Sequence, residues 1–368
     1  MKMLICLYSL YDIKNKMIVY VLSANTLKIS VARELFEGDI RSIAIHNVMS
    51  HLGLPTLPPQ PINEFGPMCA LARIAYFKTF MKNENKSLTN CIIVSIENFI
   101  ETESCQDKCC VAIEYNGKSI CGISDDETVM FPKKYLAELG PEINYDGMLG
   151  HANTIGECVH KDDPTYSKND WMSKFNIFVT RRLQIENAYN NINFKIFLTG
   201  FIKYVPNFSK GGMICPNIFP LLQDPYLGQL LYSQIIDKLK DLEIDYVVGL
   251  DAPGFIFGSV IADRLGVGFV PMTKVHEKNL SPDALNIEID SPNCLEIERH
   301  CIPSNSTILI VDDILTTGDM LLCANSLIRW FEPTNVFTFV LSKINELTGE
   351  AKISLGEEVY DKLIILFD

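Results

Sequence analysis

Apolar residues along this chain follow two rhythms. Short continuous runs predict buried strands: Met17–Leu22 (MIVYVL), Cys91–Ile96 (CIIVSI), Tyr246–Leu250 (YVVGL) and Ile308–Val311 (ILIV). Between them, Asn25–Phe36 repeats apolar positions at helical spacing (Ile29, Ala32, Leu35, Phe36), and Met68–Met81 and Leu227–Leu239 do the same. Val111–Tyr115 and Lys118–Ile123 flank Asn116-Gly117, a hairpin signal. In the second half two apolar strands each feed a loop and then a helix. That order predicts a parallel sheet covered by helices, an α/β protein. The composition changes near Ala188–Asn193, which predicts two domains, 1–190 and 195–368.

Composition narrows the function classes. The 368 residues are 48% hydrophobic and 21% charged, as expected of globular domains. The net charge of −13 argues against coating nucleic acid or an anionic membrane through bulk charge. No apolar run approaches the roughly 18–20 residues of a membrane span. Met1–Tyr11 is apolar but short and is followed by Asp12, Lys14 and Lys16, so a signal peptide is not expected. The twelve cysteines lack disulfide-framework spacing and read as reduced thiols of a cytoplasmic protein. Cys105, Cys109, Cys110 and Cys121 cluster in sequence, without the paired spacing of a zinc site.

The densest chemistry follows Ile308–Val311. Asp312 and Asp313 come at once, then Ile314, Leu315, Thr316, Thr317 and Gly318, and then a helix. Loops at the carboxyl ends of parallel strands form ligand crevices. A Thr-Thr-Gly turn opening a helix offers hydroxyls and backbone N–H groups to a phosphate. Paired carboxylates suit vicinal hydroxyls as acceptors.

This string, VDDILTTGD, resembles the phosphoribosyl-pyrophosphate (PRPP) motif of type I phosphoribosyltransferases. The resemblance implies that Asp312 and Asp313 contact the ribose hydroxyls, and that Thr316, Thr317 and Gly318 hold the 5′-phosphate. From about Tyr204 onward the chain resembles the adenine phosphoribosyltransferases. YVVGLDAPGF matches their pyrophosphate loop, including Asp251, and Lys274 stands where that family directs Lys toward pyrophosphate. Pro216–Pro225 matches the segment lining the base pocket. Leu285–Asp290 matches a mobile loop whose catalytic carboxylate would be Glu288. Pro253 replaces the Arg of the pyrophosphate loop, and Asp319-Met320 replaces Gly-Thr after the phosphate turn. The resemblance implies a mainly parallel sheet, Mg²⁺ as cofactor, PRPP and nucleotides as partners, and a homodimer.

The first half carries a looser constellation. Ser23, Asn25 and Lys28 sit at a strand-to-helix junction, Glu64 follows Gln60-Pro61, Glu97 closes CIIVSI, and Gly156 lies in ANTIGE. In this order they resemble the inosine/xanthosine triphosphatases, an α/β fold with a mixed sheet. That implies triphosphate contacts from Asn25 and Lys28, and carboxylates for Mg²⁺ and water from Glu64 and Glu97. Phe99 stands where a Gly is expected, and Asn153 where a carboxylate is. The leading expectation is phosphoribosyl transfer to a purine base. The alternatives are an N-terminal hydrolase with a sensing second half, and a nucleotide-binding regulator without turnover.

Overall fold

The structure, a computed structural model, describes residues 17–125, 128–206, 214–276, 279–290 and 293–367. The Met1–Tyr11 run lies outside them. The chain divides into two compact units between Asn193 and Phe194.

The first unit contains β1 (Ile18–Val21), α1 (Thr26–Leu35), β2 (Asp39–Ser42), α2 (Ile45–Leu52), β3 (Gln60–Pro61), α3 (Phe65–Asn83), β4 (Cys91–Glu101), β5 (Gln106–Tyr115), β6 (Lys118–Ile123) and β7 (Val129–Met130). It continues with α4 (Lys134–Glu138), β8 (Ile143–Tyr145), β9 (Met148–His151), α5 (Ile155–Asp162) and α6 (Arg181–Asn190). Its main sheet runs β2-β1-β4-β5-β6, with β7 also on β5. β1 is parallel to β2 and β4, and β4, β5 and β6 are antiparallel, so the sheet is mixed. Tyr20, Leu22, Phe77, Ile93 and Phe99 belong to one buried cluster. Ile100, Phe131, Tyr135 and Trp171 belong to another, where Trp171 meets Phe131 and Phe175 edge-on. Asn25 caps α1, its Oδ1 accepting from the backbone N–H groups of Leu27 (3.0 Å) and Lys28 (3.2 Å). Such a cap stabilises a helix by about 1 kcal/mol. Asn116 and Gly117 both take positive φ (45° and 85°), the turn geometry their dipeptide favours.

The second unit contains α7 (Phe194–Thr199), β10 (Lys203–Pro206), β11 (Ile214–Asn217), α8 (Phe219–Leu222), α9 (Pro225–Leu239), β12 (Tyr246–Leu250), α10 (Asp251–Leu265) and β13 (Gly268–His276). β14 (Ala284–Asp290), β15 (Asn293–Glu298), β16 (Thr307–Leu315), α11 (Asp319–Ile328), β17 (Asn335–Lys343), α12 (Thr348–Tyr360) and β18 (Leu363–Phe367) complete it. The sheet order is β14-β15-β13-β12-β16-β17-β18. The five strands from β13 to β18 in that order are parallel, while β14 and β15 add an antiparallel edge. Val248, Leu250, Met272, Ile308, Ile310 and Val340 pack in the core with Leu321, Leu327 and Ile328 of α11. A central parallel strand is covered on both faces, which is why these strands read as unbroken apolar runs.

Three expectations change. β16 continues through the acid pair to Leu315, so Asp312 and Asp313 lie within the strand and not after it. Pairing with β17 as far as Leu315↔Lys343 holds them there. β4 likewise runs past Glu97 to Glu101, because β5 pairs with it throughout. Leu285–Asp290, expected as a loop, is edge strand β14, registered on β15 with an irregularity between Glu288 and Asp290.

Candidate active site

β12 and β16 are adjacent and parallel, with Gly249 opposite Val311. One step further, Asp312 ends up beside the first turn of α10, which begins at Asp251. A Cβ on Gly254 would stand 2.5 Å from the carbonyl oxygen of Val311, and one on Gly249 2.6 Å from the carbonyl oxygen of Gly254. Only glycines let this loop close onto the strand that carries the acid pair. Asp251 holds φ of 48°, a conformation uncommon outside glycine. Pro253 falls in the first turn of α10, where its missing N–H leaves no helical hydrogen bond broken. It also presents one donor fewer to an anion at this helix end.

The Asp312 side chain is 4% exposed, and its Oδ1 accepts from the backbone N–H of Asp313 at 2.9 Å. Burial, then the charge of Asp313, push its carboxyl well above the usual range, and Asp251 adds to the effect. Burial also raises Asp313. Besides burial, what raises Asp312 is therefore other carboxyl groups, gathered at the carboxyl edge of a parallel sheet.

Thr316 is exposed and Thr317 half-buried, and Gly318 caps α11 with φ of 86°. The Thr317 hydroxyl donates to Asp319 Oδ2 at 2.8 Å, and the Ser354 hydroxyl on α12 donates to Asp319 Oδ1 at 2.8 Å. The Ser354 contact was not legible from the motif, since the partner comes from 35 residues away.

Lys274 is exposed on β13, two residues beyond the Leu250↔Met272 pair that ends β12's partnership. Glu288 is exposed on β14, where its backbone carbonyl accepts from the Cys323 thiol of α11 at 3.6 Å. The topology thus brings Asp251, Asp312 and Asp313 together with the Thr316–Gly318 turn, and leaves Lys274 and Glu288 on the antiparallel side of the sheet.

In the first unit the predicted residues part company. Lys28 Nζ donates to the carbonyl of Ile96 at 2.7 Å, and burial lowers its pKa despite the opposing pull of Glu97. Glu97 is 4% exposed and pairs with Arg73 (Nη2 to Oε2, 2.5 Å). Glu64 is exposed instead. It lines a cleft of about 580 Å³ with Glu101, Glu103, Lys108 and Asp125. Phe99, in the position expected to be Gly, lays its ring over Gly66 at the start of α3, leaving no room for a Cβ there. Gly156 abuts the Lys168 carbonyl and the Trp171 ring, and Asn153 donates to the Leu139 carbonyl at 3.3 Å. Cys110 and Cys121 hydrogen-bond each other, while Cys109 on the opposite face lies near Lys28 and Arg181. Among the described residues no group of three or more His, Cys, Asp or Glu side chains is arranged to hold a metal ion. Among them, too, no helix is long and apolar enough to cross a membrane.

Residues 228–359 match a phosphoribosyl transferase domain. An adenine phosphoribosyltransferase of Halothermothrix orenii is 35% identical over 170 residues, which is 46% of this chain and 98% of that protein. One from Vibrio vulnificus is 32% identical over 161 residues, 43% of this chain and 89% of the relative. Among solved structures, adenine phosphoribosyltransferase from Saccharomyces cerevisiae, complexed with an imino-altritol bisphosphate and adenine, is 28% identical, covers 47% of this chain and 98% of its own, and has a TM-score of 0.41. The matched length takes in the Asp251 loop, the Asp312-Asp313 pair and the Thr316–Gly318 turn. Through its second half, the chain belongs to the phosphoribosyltransferase family, as a type I domain whose relatives are adenine phosphoribosyltransferases.

Proposed function

We propose that the second unit transfers phosphoribose from PRPP to a purine base, adenine being the base named in its relatives. One observation carries the reading: Asp251, Asp312 and Asp313 converge at the carboxyl ends of β12 and β16, next to a Thr-Thr-Gly turn that opens α11. The acid pair accepts hydrogen bonds from the ribose hydroxyls. The turn and the N-terminus of α11 receive the 5′-phosphate, and the N-terminus of α10 receives pyrophosphate. A ring nitrogen of the base attacks the anomeric carbon as the bond from that carbon to the pyrophosphate oxygen breaks. Glu288 takes the proton that the base loses, and Lys274 neutralises part of the pyrophosphate charge.

Crowded carboxylates fit a divalent cation, because their mutual repulsion is relieved by it. Among the described residues no three such side chains are arranged to hold a metal ion by themselves; Mg²⁺ would come bound to the oxygens of PRPP, with Asp312 and Asp313 as the carboxylates beside it. When bound, Mg²⁺ supplies charge neutralisation for the departing pyrophosphate. The expected assembly is a homodimer in the cytoplasm.

The test is calorimetric titration of PRPP with Mg²⁺ into the full chain and into the Asp312→Asn/Asp313→Asn chain. Binding by the first that the second loses is the expected result. Equal affinity in both overturns the reading.

A second reading concerns the first unit. Glu97 on β4 lies close enough to Lys28, at the start of α1, to oppose the lowering of the lysine's pKa by burial, beside a helix N-terminus suited to phosphate. This supports hydrolysis of a purine nucleoside triphosphate there. Mg²⁺-dependent hydrolysis that disappears in Glu97→Gln is the expected outcome, and hydrolysis unchanged in that variant refutes the site.

A further inference from the structure

The Asp319 carboxylate is the point at which this chain's phosphate turn departs from a plain anion cradle. It stands in the first turn of α11, immediately after Gly318, and is solvent-exposed. Both of its oxygens are engaged, Oδ2 by the Thr317 hydroxyl and Oδ1 by the Ser354 hydroxyl, each at 2.8 Å. A helix N-terminus flanked by hydroxyl donors is what a phosphate monoester seeks. Here the Thr317 hydroxyl of that turn, joined by Ser354 from α12, already serves an anion that belongs to the chain.

We infer that Asp319 is an internal carboxylate plug in the 5′-phosphate subsite, lowering the affinity of the second unit for any ligand that brings a phosphate monoester there. The inference rests on the PRPP reading of this unit and goes beyond it, by assigning a residue that sets how strongly the 5′ end of the ligand is held. Three physical effects act together. The Thr317 hydroxyl must release Asp319 before it can donate to phosphate, and a hydrogen bond to a charged acceptor is among the stronger ones. The carboxylate repels the incoming dianion. The negative end it contributes also offsets the positive end of α11. The plug has a second anchor as well: Ser354 lies next to Leu355, whose Cγ would stand 3.0 Å from a Cβ on Gly318. Displacing Asp319 therefore also breaks its hydrogen bond to α12.

The pyrophosphate end of the site is built by other residues, at Asp251–Gly254. Asp319 should consequently discriminate between the two ends of the same ligand. The experiment is calorimetric titration of the full-length wild-type, Asp319→Gly and Asp319→Asn chains with ribose 5-phosphate, with inorganic pyrophosphate and with PRPP plus Mg²⁺. Asp319→Asn keeps the shape and removes the charge; Asp319→Gly removes both. The expected result is a gain of about ten-fold or more in affinity for ribose 5-phosphate and PRPP in Asp319→Gly, a smaller gain in Asp319→Asn, and little change for pyrophosphate. A residue that only supported the first turn of α11 would not produce that selectivity. If Asp319→Gly binds ribose 5-phosphate and PRPP no better than wild type while Asp312→Asn/Asp313→Asn loses PRPP, the plug is overturned and the PRPP reading stands. If neither wild type nor Asp319→Gly binds PRPP or ribose 5-phosphate, both are overturned. An equal gain for pyrophosphate would also overturn it, since the effect would then be a general one of charge.

Discussion

Gly254 and Val311 approach so closely that a methyl group on the first would stand 2.5 Å from the carbonyl oxygen of the second. The contact joins the loop after β12 to the strand that carries Asp312. In the proposed reading it sets how near the pyrophosphate end of the site lies to the ribose end. Gly254→Ala must push α10 away from β16 or strain both. Overpacking of this kind typically costs about 1–3 kcal/mol. Urea denaturation of the variant should show a loss in that range, with weaker pyrophosphate binding in the same protein. Wild-type stability in the variant would mean that the loop tolerates displacement.

Burial and the neighbouring carboxylates raise the Asp312 pKa in the folded chain. For an acid with a raised folded pKa, the folded state binds more protons than the unfolded one between the two values. Stability is then fully present below the ordinary carboxylate pKa, about 4, and is lost as pH rises through the raised value. Asp312→Asn mimics the protonated form. It should be more stable than wild type at neutral pH, with the difference shrinking toward pH ~4. Denaturation curves across that window check the sign; a variant less stable than wild type at neutral pH would reverse it.

Glu97 and Arg73 form a buried ion pair in the first unit, with side chains 5% and 18% exposed. Removing one partner leaves a charge in a low-dielectric setting, which commonly costs about 3–5 kcal/mol. Glu97→Ala should lower the denaturation midpoint of that unit markedly. Glu97→Ala with Arg73→Met should recover part of the loss, because the orphaned guanidinium is gone. Equal midpoints for the single and double variants would separate the two residues energetically.

Glu288 is exposed on β14 and is proposed to take the proton from the base. Glu288→Gln should lower kcat by about a hundred-fold or more while the affinity for PRPP is retained. Lys274→Ala, by contrast, should weaken PRPP binding. Loss of PRPP affinity in Glu288→Gln would assign the carboxylate to binding and not to proton transfer.

Much of the second unit was legible in sequence because it is locally encoded. A parallel strand buried on both faces must be apolar throughout, and Tyr246–Leu250 is strand β12 with the predicted bounds. The cap that Asn25 places on α1 is equally local, since its partners are two and three residues away. Boundaries set by a distant partner were not readable. The extension of β16 through the two aspartates follows from β17, and that of β4 through Glu97 follows from β5. Polar residues inside a strand look like its end until the neighbouring strand is known. The same limit applies to Leu285–Asp290, which looks like a loop until β15 pairs with it.

The sequence by itself determined the parallel α/β character of the second half, the order of acid pair and Thr-Thr-Gly turn, and the departures at Pro253 and Asp319. All of these depend on residues adjacent in the chain. Only the tertiary structure decided which charges face one another. It set Asp251 near Asp312 by pairing β12 with β16, gave Glu97 to Arg73, left Glu64 in a separate cleft, and brought Ser354 across to Asp319. The reason is physical: electrostatic and hydrogen-bond energies depend on distance and burial in space, and spacing along the chain carries neither.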